Sequence, residues 1–292
     1  MEILSQNTDA FCIFDVDDVT SPVVFASPHS GRRYSPEFLK MSVLDAKAIR
    51  SSEDAYVDQL IDFVPQLGCP LLVAKAPRAY VDLNRAPYEL DPALIENVRM
   101  RSQNPRVASG LGVIPRVVAN AREIYRGKIS RPEADRRIQT VWKPYHEALK
   151  KLLDRAKARF GYALLVDVHS MPHEAVAYLS KPHAGAQIVL GDRFGASADA
   201  EISDVFEFAL RQEEFIVSRN TPFAGAFIAQ EYGQPILGYH ALQLEIDRSL
   251  YLKANGIVLR DDVEAFKQRL RSVFAEVVEH FGPTRVHHLA AE

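Results

Sequence analysis

The chain has 292 residues, 47% of them hydrophobic and 25% charged, enough apolar mass to bury the core of one large α/β domain. A net charge of −3 with dispersed Lys and Arg excludes the basic footprint of a nucleic-acid or anionic-membrane binder. With only Cys12 and Cys69 there is no disulfide framework, and no apolar run approaches the ~20 residues needed to span a bilayer.

Residues 1–6 lack the basic and apolar regions of a signal peptide, so a cytoplasmic protein is expected. The apolar run at residues 23–26 reads as a buried strand, and Ser27-Pro28-His29-Ser30-Gly31 places a histidine just past its end. Residues 42–67 carry Leu44, Ile49, Val57, Leu60, Ile61 and Val64 at helical spacing, predicting a helix that stops at Gly68. A second strand, residues 71–74, leads into Arg78-Ala79-Tyr80-Val81-Asp82-Leu83-Asn84-Arg85. Residues 86–130, rich in Pro, Asn, Arg and Gly, read as a long irregular excursion near a site. The clearest helix spans 133–160, where Ile138, Trp142, Tyr145, Leu149, Leu152 and Leu153 share one stripe. Pro144 should kink it and Gly161 end it.

Residues 162–168, apolar except for Asp167, are expected as a central strand buried on both faces, and Asp167-Val168-His169-Ser170 sets a second histidine at its end. A strand at 188–190, a helix near 197–212, a strand at 236–246 and a closing helix at 262–281 complete the chain. This alternation predicts one domain over residues 1–292, an α/β/α three-layer sandwich on a mixed, mostly parallel sheet.

In open α/β sheets the ligand crevice lies outside the carboxyl ends of the strands, so His29 and His169 should reach the same cleft. Two histidines with acidic residues nearby suit a hydrolytic zinc site, which takes three protein ligands and keeps one position open for water. The third ligand is Glu53 or Asp54, and spacing alone does not choose between them. Both also suit a helix start capped by Ser51 or Ser52. Arg78, Asn84 and Arg85 offer two guanidinium groups and a carboxamide for an anionic substrate: Asn84 and Arg85 to grip a carboxylate, Arg78 to stabilise oxyanion charge. Asp82 is expected to hold one of the arginines. Along the strand Gln243-Leu244-Glu245-Ile246, alternation puts Gln243 and Glu245 on one face, and a buried Glu there suits a general base. His173, His183 and His146 compete weakly for a metal, His146 being expected to pack beside the apolar face of its helix; His240 is expected to be structural, and His280, His287 and His288 read as surface residues.

Taken in order, Pro28-His29-Ser30-Gly31, Asp54 before Val57-Asp58, Arg78 with Asp82-Leu83-Asn84-Arg85, Tyr145-His146, Asp167-Val168-His169-Ser170 and Gln243-Leu244-Glu245 resemble the N-formylglutamate amidohydrolase family. The resemblance implies a phosphorylase/hydrolase-like, zinc-peptidase-like fold and one Zn²⁺ per chain on His29, Asp54 and His169. It also implies Glu245 as catalytic acid/base, a small anionic N-acyl amino acid as substrate, N-formyl-L-glutamate first, and a place in histidine catabolism. One departure concerns specificity: where that family tends to carry Lys-Gly-Gly-His, this chain has Ala224 and Phe227 at the Lys and His positions. A zinc carboxypeptidase or amidase acting on short peptides or cell-wall fragments is the alternative, and a non-catalytic binding protein is a third class. A homo-oligomer is left open.

Overall fold

The structure, a computed structural model, describes residues 3–99, 104–181, 183–254 and 257–282. Eight strands form its sheet: β1 (Ile3–Asn7), β2 (Phe11–Val16), β3 (Val23–Ser27), β4 (Leu71–Ala74), β5 (Ala163–Met171), β6 (Ile188–Gly191), β7 (Val217–Arg219) and β8 (Tyr239–Asp247). Their spatial order is β1-β2-β4-β3-β5-β8-β6-β7. The middle four, β4, β3, β5 and β8, are parallel, while β1 and β2 on one side and β6 on the other add antiparallel pairings. The helices are α1 (Pro36–Met41), α2 (Val57–Leu60), α3 (Pro105–Ala108), α4 (Arg131–Arg137), α5 (Lys143–Phe160), α6 (Glu174–Ala177), α7 (Ala200–Gln212), α8 (Phe227–Tyr232) and α9 (Val263–His280).

The central strands are apolar on both faces because each face carries its own core. Val23, Phe25, Leu164, Val166, Leu242 and Leu244 pack under α7 and α9, whose Ile202, Phe206, Leu270 and Phe274 point inward. The alternate residues Val24, Ala26, Leu165 and Ala241 meet Tyr145, Leu149 and Leu152 of α5, together with Ile114 and Ile124 of the long excursion. The result is the expected α/β/α sandwich on a mixed sheet. None of the described helices is long and apolar enough to cross a membrane.

Several local expectations are corrected. The single helix over 42–67 is instead a 3₁₀ turn (Ile49–Ser52), the short α2 and a second 3₁₀ turn (Val64–Leu67). Tyr56 sits at φ +64°, a left-handed break before α2, and Pro65 lies in the last turn, so the apolar spacing reflects burial without a continuous helix. Ser51 and Ser52 therefore end a turn and do not cap a helix, and Glu53 and Asp54 follow in the connection to α2. The strand expected at 162–168 runs on through His169 to Met171, and the one expected at 236–246 begins only at Tyr239, after a 3₁₀ turn at Pro235–Leu237.

The helix over 133–160 is divided into α4, a π turn (Ile138–Trp142) and α5. The Lys143 amide donates to the Ile138 carbonyl five residues back. Pro144 supplies no amide and crowds the carbonyl four residues earlier, which accounts for the wider turn just before it. Gly161, at φ +86°, ends α5 as expected.

Candidate active site

The site lies at the carboxyl ends of the parallel strands, where the topology of the sheet places its crevice. β5 and β8 pair in a register that sets Asp167 beside Gln243 and His169 beside Glu245, all four on the face toward α5. His29 arrives from the loop after β3, and Asp54 from the connection before α2, where its amide bonds the His29 carbonyl at 3.0 Å. The loop after β4, carrying Arg78 to Arg85, packs directly against the His29 loop. Gly31 makes that approach possible, since a Cβ there would lie 2.1 Å from the Ala76 carbonyl oxygen.

His29, Asp54 and His169 converge, their ligand atoms all within 4.8 Å of one another. Each imidazole is held at Nε2 by a carboxylate: His29 by Asp82 at 2.8 Å, His169 by Asp167 at 2.8 Å. Each therefore presents Nδ1 to Asp54 Oδ2, at 3.5 Å for His29 and 3.0 Å for His169. The His29 Nδ1 is buried with no hydrogen-bond partner, an orphaned lone pair aimed at a carboxylate. Carboxylate-held imidazoles with a converging carboxylate make up the donor set and outer shell that a zinc site requires, so these residues fit the ion. Arg248 Nη2 holds the other oxygen, Asp54 Oδ1, at 2.9 Å. Burial alone would raise the Asp54 carboxyl and lower the His169 imidazole. The histidines hold the first well below its usual range, and Asp167 and Asp54 hold the second well above.

Glu53 is turned away. Its carboxylate takes a bidentate bond from Arg50 and a 2.7 Å bond from the Tyr34 hydroxyl. Of the two acidic candidates, only Asp54 faces the histidines.

Glu245 is buried beside this cluster, and burial pushes its carboxyl up to about 7 against the pull of His169. Gln243 Nε2 donates to Glu245 Oε1 at 3.0 Å, while Gln243 Oε1 accepts from the Ala226 amide at 3.1 Å. The Asn84 carboxamide stands next in line: its Oδ1 accepts from the Ile228 amide at 2.8 Å. Its Nδ2 is left with only a 3.5 Å contact to Gln243 Oε1 and a 3.3 Å approach to His169 Nε2, whose own proton is committed to Asp167. That weakly engaged donor points into the site. Arg85 is only 7% exposed and donates to the carbonyls of Asn84 and Leu111. Arg78 Nε bonds Asp82 Oδ2 at 3.0 Å, so Asp82 holds an arginine as expected, and His29 as well.

The other histidines lie elsewhere. His146 is packed among aromatic rings, His240 faces Asp199, His173 pairs with Asp247 at the surface, and His183 bonds Ser218. His280 lies near Glu201, and His287 and His288 fall outside the described residues. The contacts of Gln243, Asp167 and Arg248 within the site are not among the expectations from sequence. A polar residue two before each site residue of β5 and β8 was the available signal for the first two. Ala224 and Phe227 stand at the entrance to α8, where the Phe227 ring packs on Trp142 and His146.

Comparison with known proteins points the same way. The model of the N-formylglutamate amidohydrolase family matches residues 21–252. The N-formylglutamate deformylase of Pseudomonas aeruginosa is 31% identical over 267 residues, covering 88% of this chain and 91% of that one. The deformylase of Pseudomonas putida is 28% identical over 273 residues, covering 89% and 95%. Among solved structures, N-formylglutamate amidohydrolase from Ralstonia eutropha JMP134 superposes with a TM-score of 0.87 at 31% identity, covering 94% of this chain and 99% of that one. A gene product of Agrobacterium tumefaciens, at 13% identity and TM-score 0.67, shares the fold over 94% of this chain and 96% of its own.

Proposed function

The chain belongs to the N-formylglutamate amidohydrolase family and is an amidohydrolase, and we propose that it converts N-formyl-L-glutamate and water into formate and L-glutamate with one Zn²⁺ held by His29, Asp54 and His169. The observation that carries the metal reading is the buried, partnerless His29 Nδ1 facing Asp54, with both imidazoles held from behind by Asp82 and Asp167. A zinc ion bound there would act as a Lewis acid toward the attacking water and the formyl carbonyl.

The protein's own groups supply the rest. Glu245, with its carboxyl near neutrality, takes a proton from the attacking water and returns it to the departing nitrogen. Gln243 fixes one Glu245 oxygen, leaving the other for that proton. Arg78, anchored on Asp82, stabilises the charge that develops on the carbonyl oxygen. The Asn84 Nδ2 donor and the Arg85 guanidinium hold the α-carboxylate and orient the amide bond. His29, Asp54, His169, Asn84, Arg85 and Glu245 are each at most 8% exposed, which favours a small substrate over a peptide chain.

The test is release of formate and L-glutamate from N-formyl-L-glutamate by zinc-loaded protein, against a panel of other N-acyl amino acids and dipeptides. Preferred turnover of the formyl substrate supports the assignment. Turnover confined to peptides would replace it with a peptidase.

A further inference from the structure

We infer that Trp142 and His146 are positioning residues for the Asn84–Arg85 pair, set in place by the π turn before α5. The inference rests on the reading of that pair as the grip on the substrate carboxylate. The Trp142 Nε1–H donates to the Arg85 carbonyl at 2.8 Å, and His146 Nε2–H donates to the Leu83 carbonyl at 2.9 Å. The two acceptors are the carbonyls on either side of Asn84. Residues 75–86 belong to no strand or regular helix, so these carbonyls have no ladder to satisfy them.

The side chains act as one unit. Their rings stack with centroids 3.9 Å apart at 30°. His146 commits its Nε2 proton to a carbonyl, so Nδ1 is the acceptor, and it takes the Tyr232 hydroxyl proton at 2.8 Å. Tyr232 belongs to α8, the helix whose Ile228 amide holds Asn84 Oδ1 at 2.8 Å. The bonds therefore close a loop: the α5 side holds the backbone around Asn84, α8 holds its side chain, and the His146–Tyr232 bond ties the two together. The wider turn at Ile138–Trp142 changes the helical phase just ahead of these rings, and π turns recur at functional sites for this kind of re-aiming. With Oδ1 fixed by the Ile228 amide, the Asn84 Nδ2 donor is turned toward Gln243 and His169 of the site.

The test is steady-state kinetics of Trp142→Phe, which keeps the ring and removes the donor, beside Tyr232→Phe, which cuts the tie between α5 and α8. Each is assayed on N-formyl-L-glutamate and on its neutral α-amide, with Tm recorded. We expect KM for N-formyl-L-glutamate to rise about tenfold with kcat within about threefold. The preference for the α-carboxylate over the α-amide should fall by a similar factor. A variant that folds with KM and preference unchanged, whatever its Tm, overturns the inference. If wild type turns over no N-formyl-L-glutamate, the substrate reading fails and takes this inference with it. If Trp142→Phe does not fold, Tyr232→Phe decides the matter by the same two readouts.

Discussion

At the scale of single residues, the site separates groups that look alike in sequence. Glu53 and Asp54 are adjacent carboxylates, yet one is neutralised by Arg50 and the other faces two imidazoles. Nothing in their spacing distinguishes them, because the choice is made by backbone direction after a 3₁₀ turn. Asp54→Ala should therefore abolish zinc binding, while Glu53→Ala should leave one zinc per chain, as elemental analysis of the two variants would show. Glu245→Gln keeps the size of the side chain and its contact with Gln243 but removes the proton acceptor. Its kcat should fall by about 10²–10⁴ with zinc retained, and an unchanged kcat would remove Glu245 from the reaction. His146 offers a test by pH. Burial pushes its imidazole down to about 3, whereas in the unfolded chain it titrates near 6.5. The folded state binds fewer protons in that window, so the stability is present above pH 6.5 and is lost as pH falls toward 3. Wild type should lose about 2 kcal/mol more between pH 7 and pH 5 than His146→Gln, measured by denaturant unfolding. Equal losses would mean that His146 is not buried in its neutral form.

At the scale of elements, legibility followed burial except at β2 (Phe11–Val16), which is largely buried yet is not among the strands expected from the sequence. β3, β4, β5, β6 and β8 were readable because a strand covered on both faces leaves an apolar run. β1 was not, since Ile-Leu-Ser-Gln-Asn at a sheet edge carries no such run, nor was β7 with three residues. The connection over 42–67 misled for the converse reason: short turns buried against β3 and β4 reproduce helical spacing without a helix. The convergence of His29 and His169 was readable from their places at the carboxyl ends of β3 and β5, the burial of Glu245 from strand alternation, and the Arg78–Asp82 pair from the local charge pattern. The place of Arg248 was not, because its partners Asp54 and Ser170 are far away in the sequence. The contact between the loops after β3 and β4 depends on Gly31, with no room for a side chain against the Ala76 carbonyl. Gly31→Ala should destabilise the protein by about 1–3 kcal/mol and reduce activity with it, since His29 and Arg78 sit on the two loops forced apart. Calorimetry beside an activity assay would check this, and a variant of full stability would contradict the packing.

At the scale of the whole molecule, the sheet brings together groups from nearly the full length of the described chain, from His29 to Arg248. Parallel strands concentrate these groups at one edge, with a core packed on each face of the sheet. Because the proposed zinc ligands are buried, a bound ion adds to folding stability. The gain is about 4 kcal/mol when free zinc exceeds its Kd a thousandfold, so chelation should lower Tm and readdition should restore it. The most direct measurement is the zinc content of purified wild type beside His169→Ala, by elemental mass spectrometry after incubation with zinc and gel filtration. One zinc per chain is expected in wild type and none in the variant. Wild type without zinc, or a variant that keeps its full complement, would contradict the proposed metal site.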